Sequence, residues 1–263
     1  MTQQAIHRKL IERSNVHPDW SDILVDALDR VGADYLLQLS SHPGWLPGID
    51  KLFSAFRRDR LGVRYVLLGE SPYPRAASAN GIAFYDAAVN SLWSDQGLSK
   101  SVNRATSLRN IIKTALLAEG HLEADGEGKV SQASIAGIDK STLVQTMDEL
   151  FANLHKAGFL MLNATPVLHP ESKPTQEAVY WQDFLERLLK RLVSSLDHPL
   201  TLVLWGKIAK ALESMNPGSS YRILASEHPY NISFINNSTM QSLFRDIRVL
   251  SKRGVSVIPA RGP

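Results

Sequence analysis

Tyr65-Val66-Leu67-Leu68-Gly69-Glu70-Ser71-Pro72-Tyr73-Pro74 is the stretch on which the fold turns. Its first four residues make a short apolar run that reads as a buried strand, and Pro72 and Pro74 forbid that strand from continuing. A glycine, an acid, a hydroxyl and two prolines then form a rigid turn at the strand's carboxyl end. In an open α/β sheet, ligands bind at that end.

Three more apolar runs qualify as strands: Phe159-Leu160-Met161-Leu162, Leu200 to Trp205, and Tyr221-Arg222-Ile223-Leu224-Ala225. A long amphipathic helix, Trp181 to Leu196, separates the first two of these. The opening third reads as helical, with Ile23, Leu24, Ala27 and Leu28 at helical spacing and Leu36, Leu37 and Leu39 following. The segment from His42 through Pro43 to Gly48 is a loop by its proline and glycine content. Ile49 to Arg58 reads as a helix burying Leu52, Phe53 and Phe56, and helical pattern returns at Leu108 to Lys113. Ala87 to Asn103 reads as an irregular surface loop, and Glu123 to Gly128 as an acidic, glycine-rich one. Strands alternating with helices predict an α/β fold, one domain over 1–263, with a central parallel four-stranded sheet flanked by helices. Residues 1–60 form a mainly helical lead-in.

The 263 residues suffice for a substantial core, and 44% hydrophobic with 21% charged residues is ordinary for a globular protein. Cysteine is absent, which excludes disulfides, thiolate metal sites, cysteine nucleophiles and cysteine-bound iron–sulfur clusters. A net charge of +3 permits a polyanionic partner without requiring one. No secretory leader or membrane-length apolar run is legible, so a cytoplasmic, nucleoid or nuclear location is expected.

Each strand ends in residues with chemistry to offer. The first ends at Gly69–Pro74, the second at Asn163-Ala164-Thr165-Pro166, the third at Trp205-Gly206-Lys207 and the fourth at Ser226-Glu227-His228-Pro229. Parallel strands bring such ends to one edge of a sheet. Read singly, each polar residue caps a strand; Glu70, Asn163 and His228 together suggest a site.

The same residues resemble the uracil-DNA glycosylases, specifically the cluster-free main branch. That family's Gly-Gln-Asp-Pro-Tyr-His turn corresponds to Gly69-Glu70-Ser71-Pro72-Tyr73-Pro74, and its Ala-His-Gly-Leu-Ala-Phe segment to Ala79-Asn80-Gly81-Ile82-Ala83-Phe84. Its Asn-Ala-Phe-Arg matches Ser54-Ala55-Phe56-Arg57, and its Ser-Leu-x-Asn-Ile matches Ser107-Leu108-Arg109-Asn110-Ile111. Leu-Leu-Asn-Thr-Val-Leu corresponds to Met161 to Pro166, Leu-Leu-Trp-Gly to Val203 to Gly206, and His-Pro-Ser-Pro-Leu-Ser to His228 to Ser233. The matches run in order over roughly residues 45 to 245.

The resemblance implies base excision from DNA without a cofactor or metal, by a monomer with no membrane partner. The enzyme extrudes a uracil, or a related deaminated base, into a pocket. Phe84 would stack on that base, the Asn163 amide would pair with its polar edge, and Tyr73 would fill the space of a thymine methyl. His228 would donate to the oxygen that gains charge as the glycosidic bond breaks. Ile232 matches the leucine wedge that enters the vacated helix. Ser107 and Lys207 are candidate DNA contacts, with Lys210, Arg57, Arg58 and Arg60 as further possible phosphate contacts. Without the motifs, Phe84 and Ile232 read as core residues, Tyr73 as turn packing, Asn163 as a cap and His228 as a loop residue.

One departure bears on catalysis. Ser71 stands where the family keeps the aspartate that positions water and places negative charge beside the cationic sugar. Glu70 is the expected substitute, with the Ser71 hydroxyl assisting. Pro74 replaces a histidine, Tyr230-Asn231 replaces Ser-Pro in the wedge loop, and Ser91 to Thr106 lacks the family's proline-rich loop. The rival expectation is a DNA- or uracil-binding relative that kept the pocket and lost the acid; an unrelated α/β enzyme with a nucleotide substrate is the third.

Overall fold

The computed structural model describes residues 2–42, 44–169, 173–208 and 221–252, so Pro43 and Lys210 lie outside the described residues. In chain order the strands are β1 (Tyr65–Gly69), β2 (Trp93–Ser94), β3 (Gly97–Leu98), β4 (Phe159–Asn163), β5 (Leu200–Trp205) and β6 (Tyr221–Ser226). The central sheet is parallel and four-stranded, as the alternating pattern predicts, and its strand order is β4-β1-β5-β6. The helices are α1 (Gln3–Arg13), α2 (Ser21–Leu28), α3 (Ala33–Ser41), α4 (Lys100–Arg104), α5 (Thr106–Ala118), α6 (Gln132–Ala136), α7 (Met147–Lys156), α8 (Pro174–Ser195) and α9 (Ser238–Ile247). Two compact units form: Met1–Asp86 with Leu160–Leu204 and Ile208–Ile223, and Ala87–Phe159 with Trp205–Lys207 and Leu224–Pro263.

In the first unit, β1 and β5 pair in register from Tyr65 opposite Thr201 to Leu68 opposite Leu204. Their buried Val66, Leu68, Leu202 and Leu204 share one core with Trp20, Ile23, Leu24 and Leu28 before them and Trp181, Leu185, Leu188 and Leu192 of α8. Each such side chain contributes about 1.5–3 kcal/mol on burial. Arg187 of α8 grips Asp26 of α2 with two hydrogen bonds of 2.9 Å, fixing how these helices cross. Helix α8 begins earlier than its apolar pattern, at Pro174, where the Gln176 side chain accepts from the Lys173 N–H at 2.9 Å.

Ile49 to Arg58 is not a helix. It forms two 3₁₀ turns, Ile49–Lys51 and Ser54–Phe56, although Leu52, Phe53 and Phe56 are buried as expected. The Ser14 hydroxyl accepts the Phe53 N–H at 3.3 Å and donates to the Ile49 carbonyl at 2.9 Å, so an outside group supplies what a helix would supply internally. Arg57 bonds the carbonyls of Ser14 and Asp50, and Arg60 pairs with Asp22. These two arginines are struts.

A hollow of about 380 Å³ in this unit is lined by Tyr35, Trp45, His169, Glu177 and Tyr180, among others. Its polar groups face one another: the Tyr35 hydroxyl donates to Glu177 at 2.6 Å and accepts from Trp181 at 3.0 Å, while Tyr180 stacks on the Tyr35 ring.

In the second unit, residues 87 to 103 are no surface loop. Strands β2 and β3 make a two-residue hairpin, α4 follows, and Leu92, Trp93, Leu98 and Val102 are buried. The polar residues between them occupy the turn, and the Ser99 hydroxyl caps α4.

Glu119, at the end of α5, is buried, and its carboxylate accepts the Leu250 N–H at 2.9 Å. Burial pushes its pKa up to about 7, against the hydrogen bonds from Leu250 and Val249 and the charge of Arg248. A raised carboxylate pKa stabilises the fold below the unfolded value, and that stability is lost as pH rises through the folded one. A shift of this size from 4.5 is worth about 3 kcal/mol. Buried His7, whose pKa burial lowers, acts oppositely, costing stability as pH falls below its ordinary value of 6.5. Glu119→Gln is therefore expected to lose less melting temperature between pH 5 and pH 8 than wild type. Identical pH slopes for the two proteins, by calorimetry, would contradict the burial of a titrating Glu119.

Candidate active site

The first unit gathers five of the expected residues around the end of β1. Lacing continues past the strands: the Ala164 N–H donates to the Gly69 carbonyl at 2.8 Å and the Thr165 N–H to the Glu70 carbonyl at 3.0 Å. These bonds hold the Gly69–Pro74 turn beside Asn163. A Cβ added to Gly69 would lie 2.9 Å from Asn163 Oδ1, 3.0 Å from Ala83 Cβ and 3.5 Å from the Phe84 ring. The Asn163 amide and the Ala83 methyl thus crowd this position toward glycine, with the Phe84 ring in ordinary contact beside them.

Phe84 carries a second mark of a built site. Its φ is +62°, a conformation a bulky residue rarely adopts. Such strain persists only where the surroundings impose it, and it gathers at ligand sites. Ala83 before it donates to the Met161 carbonyl at 3.3 Å, tying the segment to β4. Phe84 and Asn163 are both half-buried, so each keeps a face for a ligand.

The Tyr73 hydroxyl donates to the Phe84 carbonyl at 3.5 Å, a weak bond. Burial, then the charge of Asp86, pushes the Tyr73 pKa up to about 12, with Arg75 opposing, so the phenol stays neutral. Asp86 is itself buried and paired with Arg75 at 3.1 Å. Glu70 is exposed and Ser71 half-buried on the same turn. Within this unit Tyr73, Phe84 and Asn163, the trio expected to bind a base, and both turn residues are brought together.

The second unit gathers His228, Ile232 and Lys207. Gly206 has φ +74°, and a Cβ there would lie 2.8 Å from His228 Cβ, so the Trp205-Gly206-Lys207 turn seats the histidine. The Tyr230 N–H donates to His228 Nδ1 at 3.1 Å. That bond assigns the ring proton to Nε2, leaving a neutral imidazole with an N–H donor on its far side. Beside it, burial pushes the Glu227 pKa up, but hydrogen bonds from Ser233 and Asn237 outweigh that and hold it below the usual range. Lys207 and Ile232 are exposed. Ser107 is half-buried, the second residue of α5.

One functional side chain escaped the sequence reading. Asn110 is buried in α5, and its amide donates to the carbonyls of Pro229 at 2.7 Å and Asn231 at 3.3 Å. It braces the loop that carries His228 and Ile232. Its signal was an amide among Leu108, Ile111 and Ile112, on a face whose buried side chains are mostly apolar.

Comparison with known proteins follows the same residues. The Uracil DNA glycosylase superfamily matches residues 57–248. A uracil-DNA glycosylase of Dictyostelium discoideum is 26% identical over 213 residues, 81% of this chain and 52% of its own length. The chain thus spans about half the length of that relative. A uracil-DNA glycosylase of Corynebacterium glutamicum is 24% identical over 213 residues, 77% of this chain and 76% of its own. The wild-type UNG crystal structure from Nitratifractor salsuginis is 37% identical with a TM-score of 0.87, covering 94% of this chain and 97% of that one. The mimivirus uracil-DNA glycosylase structure, 20% identical with a TM-score of 0.56 over 86% of this chain and 73% of that one, shares the fold.

Proposed function

The chain belongs to the uracil-DNA glycosylase superfamily, and we propose that it is a monofunctional glycosylase that hydrolyses the N-glycosidic bond of uracil flipped out of DNA. The observation carrying this reading is the convergence of the Asn163 amide and the strained Phe84 on a glycine that has no room for a Cβ. An amide offers a donor and an acceptor side by side, as the polar edge of uracil requires. A ring beside it supplies the stacking face of a base pocket. Tyr73, neutral and half-buried, fills the space that a thymine methyl would need.

As the bond from C1′ to the base nitrogen breaks, its electron pair leaves with uracil and charge gathers on the base oxygen. The Nε2–H of His228 donates to that oxygen, an interaction strongest in the transition state. Water adds to C1′, with Glu70 positioning it and the Ser71 hydroxyl assisting, and the proton it loses ends on the departed uracil anion, giving neutral uracil. The products are free uracil and an abasic site, and the step calls for no cofactor. Lys207 and the start of α5 at Ser107 would meet backbone phosphates, and Ile232 would enter the vacated position.

The whole chain is read as one glycosylase domain acting as a monomer in whatever compartment holds the DNA. Among the described residues no helix is long and apolar enough to cross a membrane. The uncharged Ser71 favours one second reading, a relative that binds uracil in DNA without excising it. The two readings separate on one gel. The protein is incubated with uracil-containing single- and double-stranded oligonucleotides, and abasic sites are then cleaved with alkali. Strand breaks are expected. Tight, salt-dependent binding without breaks would establish the binding protein instead.

A further inference from the structure

Tyr230 is 68% exposed and Ile232 is 71% exposed, on the loop that carries His228. Scattered exposed apolar residues are ordinary. These two stand on a braced loop. Asn110 holds the carbonyls of Pro229 and Asn231, the Tyr230 N–H is bonded to His228 Nδ1, and Gly206 seats His228 from below. Asn231 between them is extended, with φ −76° and ψ 138°, so Tyr230 and Ile232 stand two residues apart on the same short, braced segment. An aromatic ring is thus held in water, one backbone hydrogen bond from the catalytic imidazole.

We propose that Tyr230 stacks on a base flanking the extruded nucleotide, as a second prong beside Ile232. The inference rests on the glycosylase reading for its partner, DNA. Extrusion of a nucleotide uncovers the faces of the bases on either side of it, and these become the nearest flat apolar surfaces available to the loop. A tyrosine ring covers such a face with two side-chain torsions to fix, a small entropic cost. Lys207, exposed on the turn that seats His228, supplies positive charge next to the same loop, as a phosphate-bearing partner requires. Stacking does not use the hydroxyl, so phenylalanine serves as well as tyrosine.

The test measures affinity for two duplexes carrying a tetrahydrofuran abasic analogue, one with normal bases on both sides and one with both flanking bases replaced by the same spacer. Tyr230→Ala is expected to weaken binding of the first about tenfold and of the second hardly at all, while Tyr230→Phe binds both like wild type. Equal losses on both duplexes, no loss on either, or a Phe variant as weak as the Ala variant overturns the proposal. A folding defect lowers both affinities together and counts as the first of these. Absence of uracil excision by wild-type protein that still binds these duplexes would refute the glycosylase reading alone, because this readout needs no cleavage.

Discussion

Glu70→Gln slows uracil excision by about 10²–10⁴, while Ser71→Ala slows it by less than about tenfold. Glutamine keeps the size of the side chain and removes its charge and its basicity, which are what an attacking water and a cationic sugar call on. Both demands exist only as the bond breaks, so the loss falls on kcat and leaves affinity for uracil-containing DNA near that of wild type. Glu70 is exposed, and neutralising it costs the fold little. Ser71→Asp in the Glu70→Gln background restores the acid at the position where the family keeps it and recovers at least about tenfold. Single-turnover rates on one oligonucleotide decide the matter. Full activity in Glu70→Gln together with a dead Ser71→Ala would move the water to the serine and end the assignment.

The turn itself was legible because prolines mark it and an apolar run marks the strand before it. The four strands were visible for the same reason: short apolar runs bounded by Pro, Gly or polar clusters leave few alternatives once helices alternate with them. Elsewhere, local pattern competed with distant groups. The Ile49–Arg58 segment has apolar residues at helical spacing, yet Ser14, far away in the chain, supplies the hydrogen bonds that set two 3₁₀ turns. Residues 87 to 103 look polar because Asp95 and Gln96 fill the hairpin turn and serines flank it, while Trp93 and Leu98 carry the packing. Arg57 and Arg60 have the composition of phosphate contacts and the geometry of struts. The strain at Phe84 has no local signal at all, since nothing in Ala83-Phe84-Tyr85 announces a positive φ. It exists because the segment is fixed on β4 at one side and at the Gly69 turn on the other.

Gly69→Ala is the sharpest probe of that fixed arrangement, with an expected loss of about 10²-fold in kcat/KM. The new methyl would meet Asn163 Oδ1 at 2.9 Å, closer than real Cβ atoms come, and Ala83 Cβ at 3.0 Å, a tight contact. Ala83 is anchored through its N–H to Met161, and Phe84 is already strained, so Asn163 has to yield. A recognition group must sit within about 0.5 Å of its productive position, and relief of this clash takes a shift of that order. The amide that loses its place is the one proposed to read uracil, which is why so small a substitution should cost so much. If the methyl acts through Asn163, adding Gly69→Ala to Asn163→Ala costs almost nothing more, whereas two independent effects multiply. A fully additive cycle would mean that Gly69 serves the turn for some reason other than room for the amide.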